Sequence, residues 1–195
     1  MSSPPANPPI TDRSYGIIPL RLIPSTSPSS SSPTSPTPTT TNTHLLLIRQ
    51  RTLASSDTFW CFPKGHPEPL DADHQATAIR ELFEETGLKI THGDLIPLCS
   101  NETGTETVLR ERYITPGRKE GKEVLYYPAL VQGNQELRIQ EKEVAEARWC
   151  GWAEAVQLAT FGECRAMVGG LRGLLESGTG VGEAKEVEGE GRGKI

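Results

Sequence analysis

The chain has 195 residues, 35% of them hydrophobic, with 16 prolines, 19 glycines and a formal net charge of −5. That length suits one globular domain with flexible extras rather than two domains. The acidic balance argues against a general nucleic-acid binder, whose affinity would rest on Lys and Arg neutralising phosphates.

Apolar runs such as Leu45 to Ile48 are far shorter than the roughly 20 residues of a membrane span, so no membrane partner is expected. The opening MSSPPANPPITDRS lacks the apolar core of a secretory signal, so a cytoplasmic location, with the nucleus as a second compartment, is expected. Residues 1–12 read as a disordered N-terminus. Two apolar runs of strand length follow, Tyr15 to Ile23 and His44 to Gln50, which can pair as a hairpin. Between them lies STSPSSSSPTSPTPTTTNT (Ser25 to Thr43), a tract with nothing to bury, read as a disordered insertion. Loop-closure entropy rises only logarithmically with length, so the hairpin tolerates it.

The spacing predicts a helix over His74 to Thr86, with Asp73 as N-cap and Gly87 as a left-handed C-terminal residue. On this helix Ile79, Leu82, Phe83 and Thr86 form an apolar side, while Glu81, Glu84 and Glu85, at i, i+3 and i+4, converge on the other. Three glutamates on one helix face are by themselves an ordinary solvated surface. The context differs here, because Phe62-Pro63-Lys64-Gly65-His66 precedes the helix with a glycine turn and basic side chains against which a phosphate could lie.

Further strands are expected at Leu95 to Cys99, Thr105 to Tyr113, Glu123 to Gln132 and Glu146 to Trp152, with Pro128 requiring an edge or a bulge. Helical patterns occupy Ala153 to Thr160 and Glu163 to Leu175, and a glycine-rich charged tail runs from Glu176 to the end. Strands that outnumber helices without alternating with them imply an α+β class, a mixed sheet with helices on its faces. Cys61, Cys99, Cys150 and Cys164 show neither a Cys-x-x-Cys pair nor zinc-ligand spacing and read as reduced, mostly buried thiols.

Gly65, Arg80-Glu81, Glu84-Glu85, Gly87 and Leu88 resemble the Nudix box, G-x5-E-x7-R-E-U-x-E-E-x-G-U with U aliphatic. There are two departures. Arg80 lies 15 residues after Gly65, one more than in the box, and the first box glutamate is replaced by Asp71 or Ala72, depending on where the extra residue is placed. The resemblance implies an α/β/α sandwich with a mixed curved sheet spanning residues 13–175. It further implies a metal site of Glu81, Glu84, Glu85 and a distant Glu143, with Glu84, Glu85 and Glu143 catalytic and Arg80 orienting the glutamates. Gly65 and Gly87 would support that site.

The segments F-P-K-G-H-x-E-P and R-W-x-G-W-x-E-A-x-x-L-A-x-F are similar to those of asymmetric diadenosine tetraphosphate hydrolases. That likeness implies a magnesium cofactor, with manganese as the substitute, and a small nucleotide or dinucleoside polyphosphate as the binding partner of a monomer. It places Lys64, His66 and Lys122 near the phosphate chain, Tyr126 and Phe161 around the adenine, and Glu143, with Glu141 as the nearby alternative, as general base. The rival readings are a diphosphoinositol polyphosphate phosphohydrolase, whose site should be richer in Lys and Arg and for which Pro116 to Lys122 offers some basic charge, and a non-catalytic nucleotide-binding module.

Overall fold

A computed structural model describes residues 9–23, 37–52, 56–98, 107–114 and 120–176. Cys99, most of the Ser/Thr/Pro tract, residues 115–119 and the tail beyond 176 lie outside them. The elements in chain order are β1 (Ile10–Leu22), β2 (Thr43–Arg51), β3 (Thr58–Cys61), β4 (Lys64–Gly65), α1 (His74–Thr86), β5 (Leu109–Ile114), β6 (Gly121–Leu130), β7 (Val144–Cys150), α2 (Trp152–Leu158) and α3 (Gly162–Glu176).

Among the described residues seven strands join one mixed sheet, whose main path runs β3-β2-β1-β6-β5, with β4 added to β1 and β7 to β2. β1 and β6 are parallel from Asp12↔Lys122 to Leu20↔Leu130; every other pairing is antiparallel. The expected hairpin exists only at its root, Leu20↔Leu45 to Leu22↔Thr43. Beyond that point β1 pairs with β4 and β2 with β3, so the segment from Thr58 to Gly65 fills the wedge between two diverging strands. This wedge carries Lys64 and Gly65 to the mouth of the site.

Side chains alternate across the sheet, as a period of two requires. Ile18, Leu20, Leu45 and Leu47 pack with Phe62, Met167, Val168 and Leu171 on the face covered by α2 and α3. Tyr15, Ile17 and Leu46 pack with Ala78, Leu82 and Leu88 on the face covered by α1. Each fully buried aliphatic side chain contributes roughly 1.5–3 kcal/mol. The result is the expected α+β sandwich, helices on both faces of a mixed sheet.

Several boundaries differ from those the sequence predicts. β1 starts at Ile10, inside the segment read as a disordered N-terminus, because its first residues pair with β6 and Asp12 bonds His66. Thr37 to Asn42, read as part of the disordered insertion, make a turn in which Asn42 Oδ1 accepts from the Thr39 N–H at 2.6 Å. Leu95 to Cys99 is no strand in its described part and contributes one bridge, Leu95↔Ala129. Pro128 is tolerated in β6 because the β5 ladder has already ended at Leu109↔Tyr126.

Candidate functional site

The helix α1 has the limits the sequence predicts. Asp73 Oδ1 accepts the Ala76 N–H at 2.7 Å, and Gly87, at φ 73°, donates its N–H to Phe83 O at 2.8 Å. Its faces are divided differently. Phe83 is 48% exposed, whereas Glu85 is 1% exposed, beside Ala78 at the edge of the buried arc. The carboxylate is drawn inward by β4: Glu85 Oε2 accepts the Lys64 backbone N–H at 2.9 Å. Its Oε1 is buried with no hydrogen-bond partner.

Gly65 explains how Glu81 reaches the same place. A Cβ on Gly65 would lie 2.0 Å from the Glu81 carboxyl carbon, so only glycine leaves room for this side chain. Arg80 then ties the acids together. Its Nη1 meets Glu81 Oε1 at 2.9 Å and Glu84 Oε2 at 3.0 Å, and its Nη2 donates to the His66 carbonyl at 2.8 Å. Nε and Nη2 form a two-pronged contact with Asp71, at 3.0 and 3.1 Å. Asp71 also accepts from the Thr77 hydroxyl and the Glu68 N–H, so Asp71, rather than Ala72, stands in for the missing first glutamate of the box.

Glu81, Glu84, Glu85 and Glu143 line one cavity of about 410 Å³ together with Lys64, His66, Arg80 and Lys122. Glu141 does not line it; its carbonyl receives Arg51 Nε, and it sits at the start of the turn that presents Glu143. Burial raises the Glu85 carboxyl to about 8, against the pull of Lys64, and the neighbouring Glu81 and Glu143 add to the rise. Burial also raises Glu81; Arg80 opposes this, and Glu84 and Glu143 reinforce it. Crowded, half-desolvated carboxylates of this kind accommodate positive charge. Among the described residues no three His, Cys, Asp or Glu side chains are already gathered as a preformed ligand set. The guanidinium of Arg80 occupies the space between Glu81 and Glu84 instead.

The cationic side chains are themselves held. Lys64, 8% exposed, hydrogen-bonds Gln50 Oε1 through Nζ, lies 3.8 Å from Cys61 Sγ, and sits 5.7 Å from the Phe59 ring centre. His66 Nε2 is 2.8 Å from Asp12 Oδ1 and 3.3 Å from Lys122 Nζ, which in turn is 3.5 Å from Asp12 Oδ2. Burial opposes ionisation of Asp12, but its contacts with His66 and Lys122 outweigh this and hold it below the usual carboxylate range. Asp12 is thus a member of the site that the sequence reading assigned to a disordered end.

Lys64, His66 and Lys122 also border a second cavity of about 500 Å³, whose other walls include Phe59, Tyr113, Phe161 and Glu111. Phe161 is 45% exposed there and tilts against Phe59, with ring centres 5.2 Å apart. Tyr126 does not belong to it. Its side chain is 1% exposed, edge-on to Phe62 at 5.9 Å, and its hydroxyl donates to Glu111 Oε2 at 3.1 Å. The aromatic that faces Phe161's cavity from the sheet is Tyr113, on β5. The error has a simple cause: Tyr126 lies on a strand with neighbours on both sides, and Tyr113 on the edge strand.

The three described cysteines offer no competing chemistry. Cys61, Cys150 and Cys164 are buried and unpaired, and burial pushes the thiols of Cys61 and Cys150 to about 12.

Strand wedge, acidic helix and glycine turn define a Nudix fold, and the profile described as NUDIX domain matches residues 37–166. The chain belongs to the Nudix family. It is 38% identical over 109 residues to the asymmetrical bis(5'-nucleosyl)-tetraphosphatase of Mus musculus, a match covering 55% of this chain and 65% of that protein. The protein of the same name from Rattus norvegicus is 39% identical over 109 residues, again 55% of this chain and 65% of the relative. The match therefore spans a little under two thirds of each curated relative. In structure, a C. elegans Ap4A hydrolase binary complex superposes with a TM-score of 0.58 at 19% identity, covering 86% of this chain and 99% of that one, a likeness of fold.

Proposed function

We propose that the chain is a metal-dependent hydrolase of dinucleoside polyphosphates that cleaves diadenosine tetraphosphate asymmetrically to ATP and AMP. The observation that carries this reading is the joining of two cavities through Lys64, His66 and Lys122. One is lined by Glu81, Glu84, Glu85 and Glu143, the other by Phe59, Tyr113 and Phe161. A polyphosphate needs the first and a nucleobase suits the second. The names of the mouse and rat relatives point the same way.

The residues fit a divalent cation. Hard carboxylate oxygens suit magnesium, with manganese as the substitute, and the orphaned Glu85 Oε1 is a buried acceptor of the kind such an ion satisfies. Glu81, Glu84, Glu85 and Glu143 would hold it, and when bound it supplies Lewis-acid polarisation of phosphoryl oxygens. Arg80, on the wall of the same cavity, keeps Glu81 and Glu84 oriented through its ion pairs with both. Lys122 and His66 bind the phosphate oxygens at the junction of the cavities, where fixed positive charge favours the departing phosphate. Glu143, exposed at the rim, accepts the proton of the attacking water. The new bond joins that water oxygen to phosphorus, the bridging P–O bond breaks, and the leaving nucleotide departs as its phosphate anion. Tyr113 and Phe161 stack on the base that is held.

Product analysis with diadenosine tetraphosphate and magnesium tests this, run beside Glu85→Gln and beside a diphosphoinositol polyphosphate. ATP plus AMP in equal amounts, lost in the variant, is the expected result. Cleavage of the inositol substrate alone, or binding without turnover in either metal, would replace this reading with one of its rivals.

A further inference from the structure

The inward face of β5 carries Leu109, Glu111 and Tyr113 at alternate positions, so an acid sits in a row where the sheet otherwise presents apolar groups to the α3 side. Glu111 is 4% exposed, yet its carboxyl lines the aromatic cavity. Oε2 receives the Tyr126 hydroxyl from the core side, and no side chain among the described residues hydrogen-bonds Oε1. Burial pushes this carboxyl up, while the Tyr126 bond and the charge of Lys64 favour its ionised form. A carboxylate on the floor of an apolar slot is costly to desolvate unless something donates to it. Glu163 lies on the same cavity's wall but is exposed at the start of α3.

We propose that Glu111 reads the hydrogen-bonding edge of the base held between Tyr113 and Phe161, so that the cavity prefers guanine to adenine. The inference rests on the nucleotide-hydrolase reading above and deepens it. An ionised carboxylate only accepts hydrogen bonds. Guanine presents two adjacent donors, N1–H and the N2 amino group, which match it. Adenine presents one donor, the N6 amino group, beside the N1 lone pair, which a carboxylate repels. Stacking on Tyr113 and Phe161 is indifferent to this difference, because every base has a π-face. Discrimination therefore falls to the buried Glu111 carboxylate, because Lys64, which is also buried and borders the slot, is held by Gln50.

The test compares GTP with ATP binding by titration in magnesium, and kcat/KM for diguanosine and diadenosine tetraphosphates, in the wild type, Glu111→Gln and Glu163→Gln. The expected wild-type preference is roughly tenfold for guanine, within what a bidentate base contact contributes. Glu111→Gln keeps its carbonyl oxygen for the Tyr126 hydroxyl and turns its amino group, a donor, towards the base; this opposes the guanine N1–H and N2 donors and suits adenine N1, and should abolish or invert the preference. Glu163→Gln should leave it intact.

Equal wild-type binding of GTP and ATP overturns the proposal, as does a preference that Glu111→Gln leaves unchanged. If Glu111→Gln does not fold, the wild-type ratio decides alone. Failure to cleave either dinucleotide would sink the hydrolase reading, and the binding ratio would still report on Glu111.

Discussion

Asp71 and Arg80 face each other through two parallel hydrogen bonds, Nε to Oδ1 at 3.0 Å and Nη2 to Oδ2 at 3.1 Å. The same guanidinium holds Glu81 and Glu84, so the loop that carries one extra residue is fastened to the acidic helix at the point where the site is assembled. Arg80 holds the Asp71 carboxyl well down, at about 2, with the Thr77 and Glu68 contacts assisting. Asp71→Asn should therefore lower stability by about 2 kcal/mol, the scale of a lost charge-assisted bond, and should lower kcat more than it raises KM. Thermal melts and steady-state kinetics check both. A variant with unchanged kcat would show that the loop is fastened independently of the site.

Gly65 gives a separate handle on Glu81. Gly65→Ala places a methyl group 2.0 Å from the Glu81 carboxyl carbon, so the side chain must leave its seat or β4 must shift. Overpacking of this sort costs about 1–3 kcal/mol. The expected outcome is a fall of roughly tenfold or more in kcat/KM, with magnesium affinity weakened by calorimetry, because a displaced ligand is felt by the ion it helps to hold. Unchanged magnesium affinity would remove Glu81 from the ligand set.

How far the sequence reveals this site depends on the range of the signal. The helix α1 was legible to the residue, because capping by Asp73 and the left-handed Gly87 are local chemistry. Lys64, Gly65, His66 and the helix glutamates were legible as one motif. Asp12, Tyr113 and Glu111 were not, since they reach the site through pairing of strands distant in sequence: β1 with β6 and β6 with β5. Glu85 shows the limit of a helical wheel. Polarity assigns it to the wet face, and only the Lys64 N–H on another element explains its burial. Tyr126 was misassigned because an aromatic in a strand looks the same whether its strand has one neighbour or two. Glu111 did leave a trace, an acid at an inward position between Leu109 and Tyr113.

Glu85 makes stability depend on pH in a predictable direction. Its carboxyl, ordinarily near 4.5, is raised to about 8 in the fold, so between those values the folded state binds more proton than the unfolded state. Stability is therefore fully present below the lower value and declines as pH rises towards the upper one. In chelator, the melting temperature should fall across this window, and Glu85→Gln should flatten the slope. Magnesium added near pH 8 should restore the wild type more than the variant. A wild-type melting temperature that rises across the window would place the buried carboxyl in its ionised state throughout.

Tyr113 and Tyr126 divide the work that the sequence assigned to one residue, and two substitutions separate them. Tyr113 and Phe161 both wall the open cavity, so Tyr113→Ala removes a stacking surface worth about 1–3 kcal/mol and should raise KM roughly tenfold, with kcat little changed. Tyr126 is enclosed and bonds Glu111, so Tyr126→Phe leaves a buried carboxyl oxygen without its donor. That change should cost about 1–3 kcal/mol of stability and move KM much less than Tyr113→Ala does. Melting curves and KM for a dinucleoside polyphosphate, taken on both variants, give the answer directly. A large KM effect confined to Tyr126→Phe would return the base to the position that the sequence alone proposed, and would require the core around Phe62 to open when substrate binds.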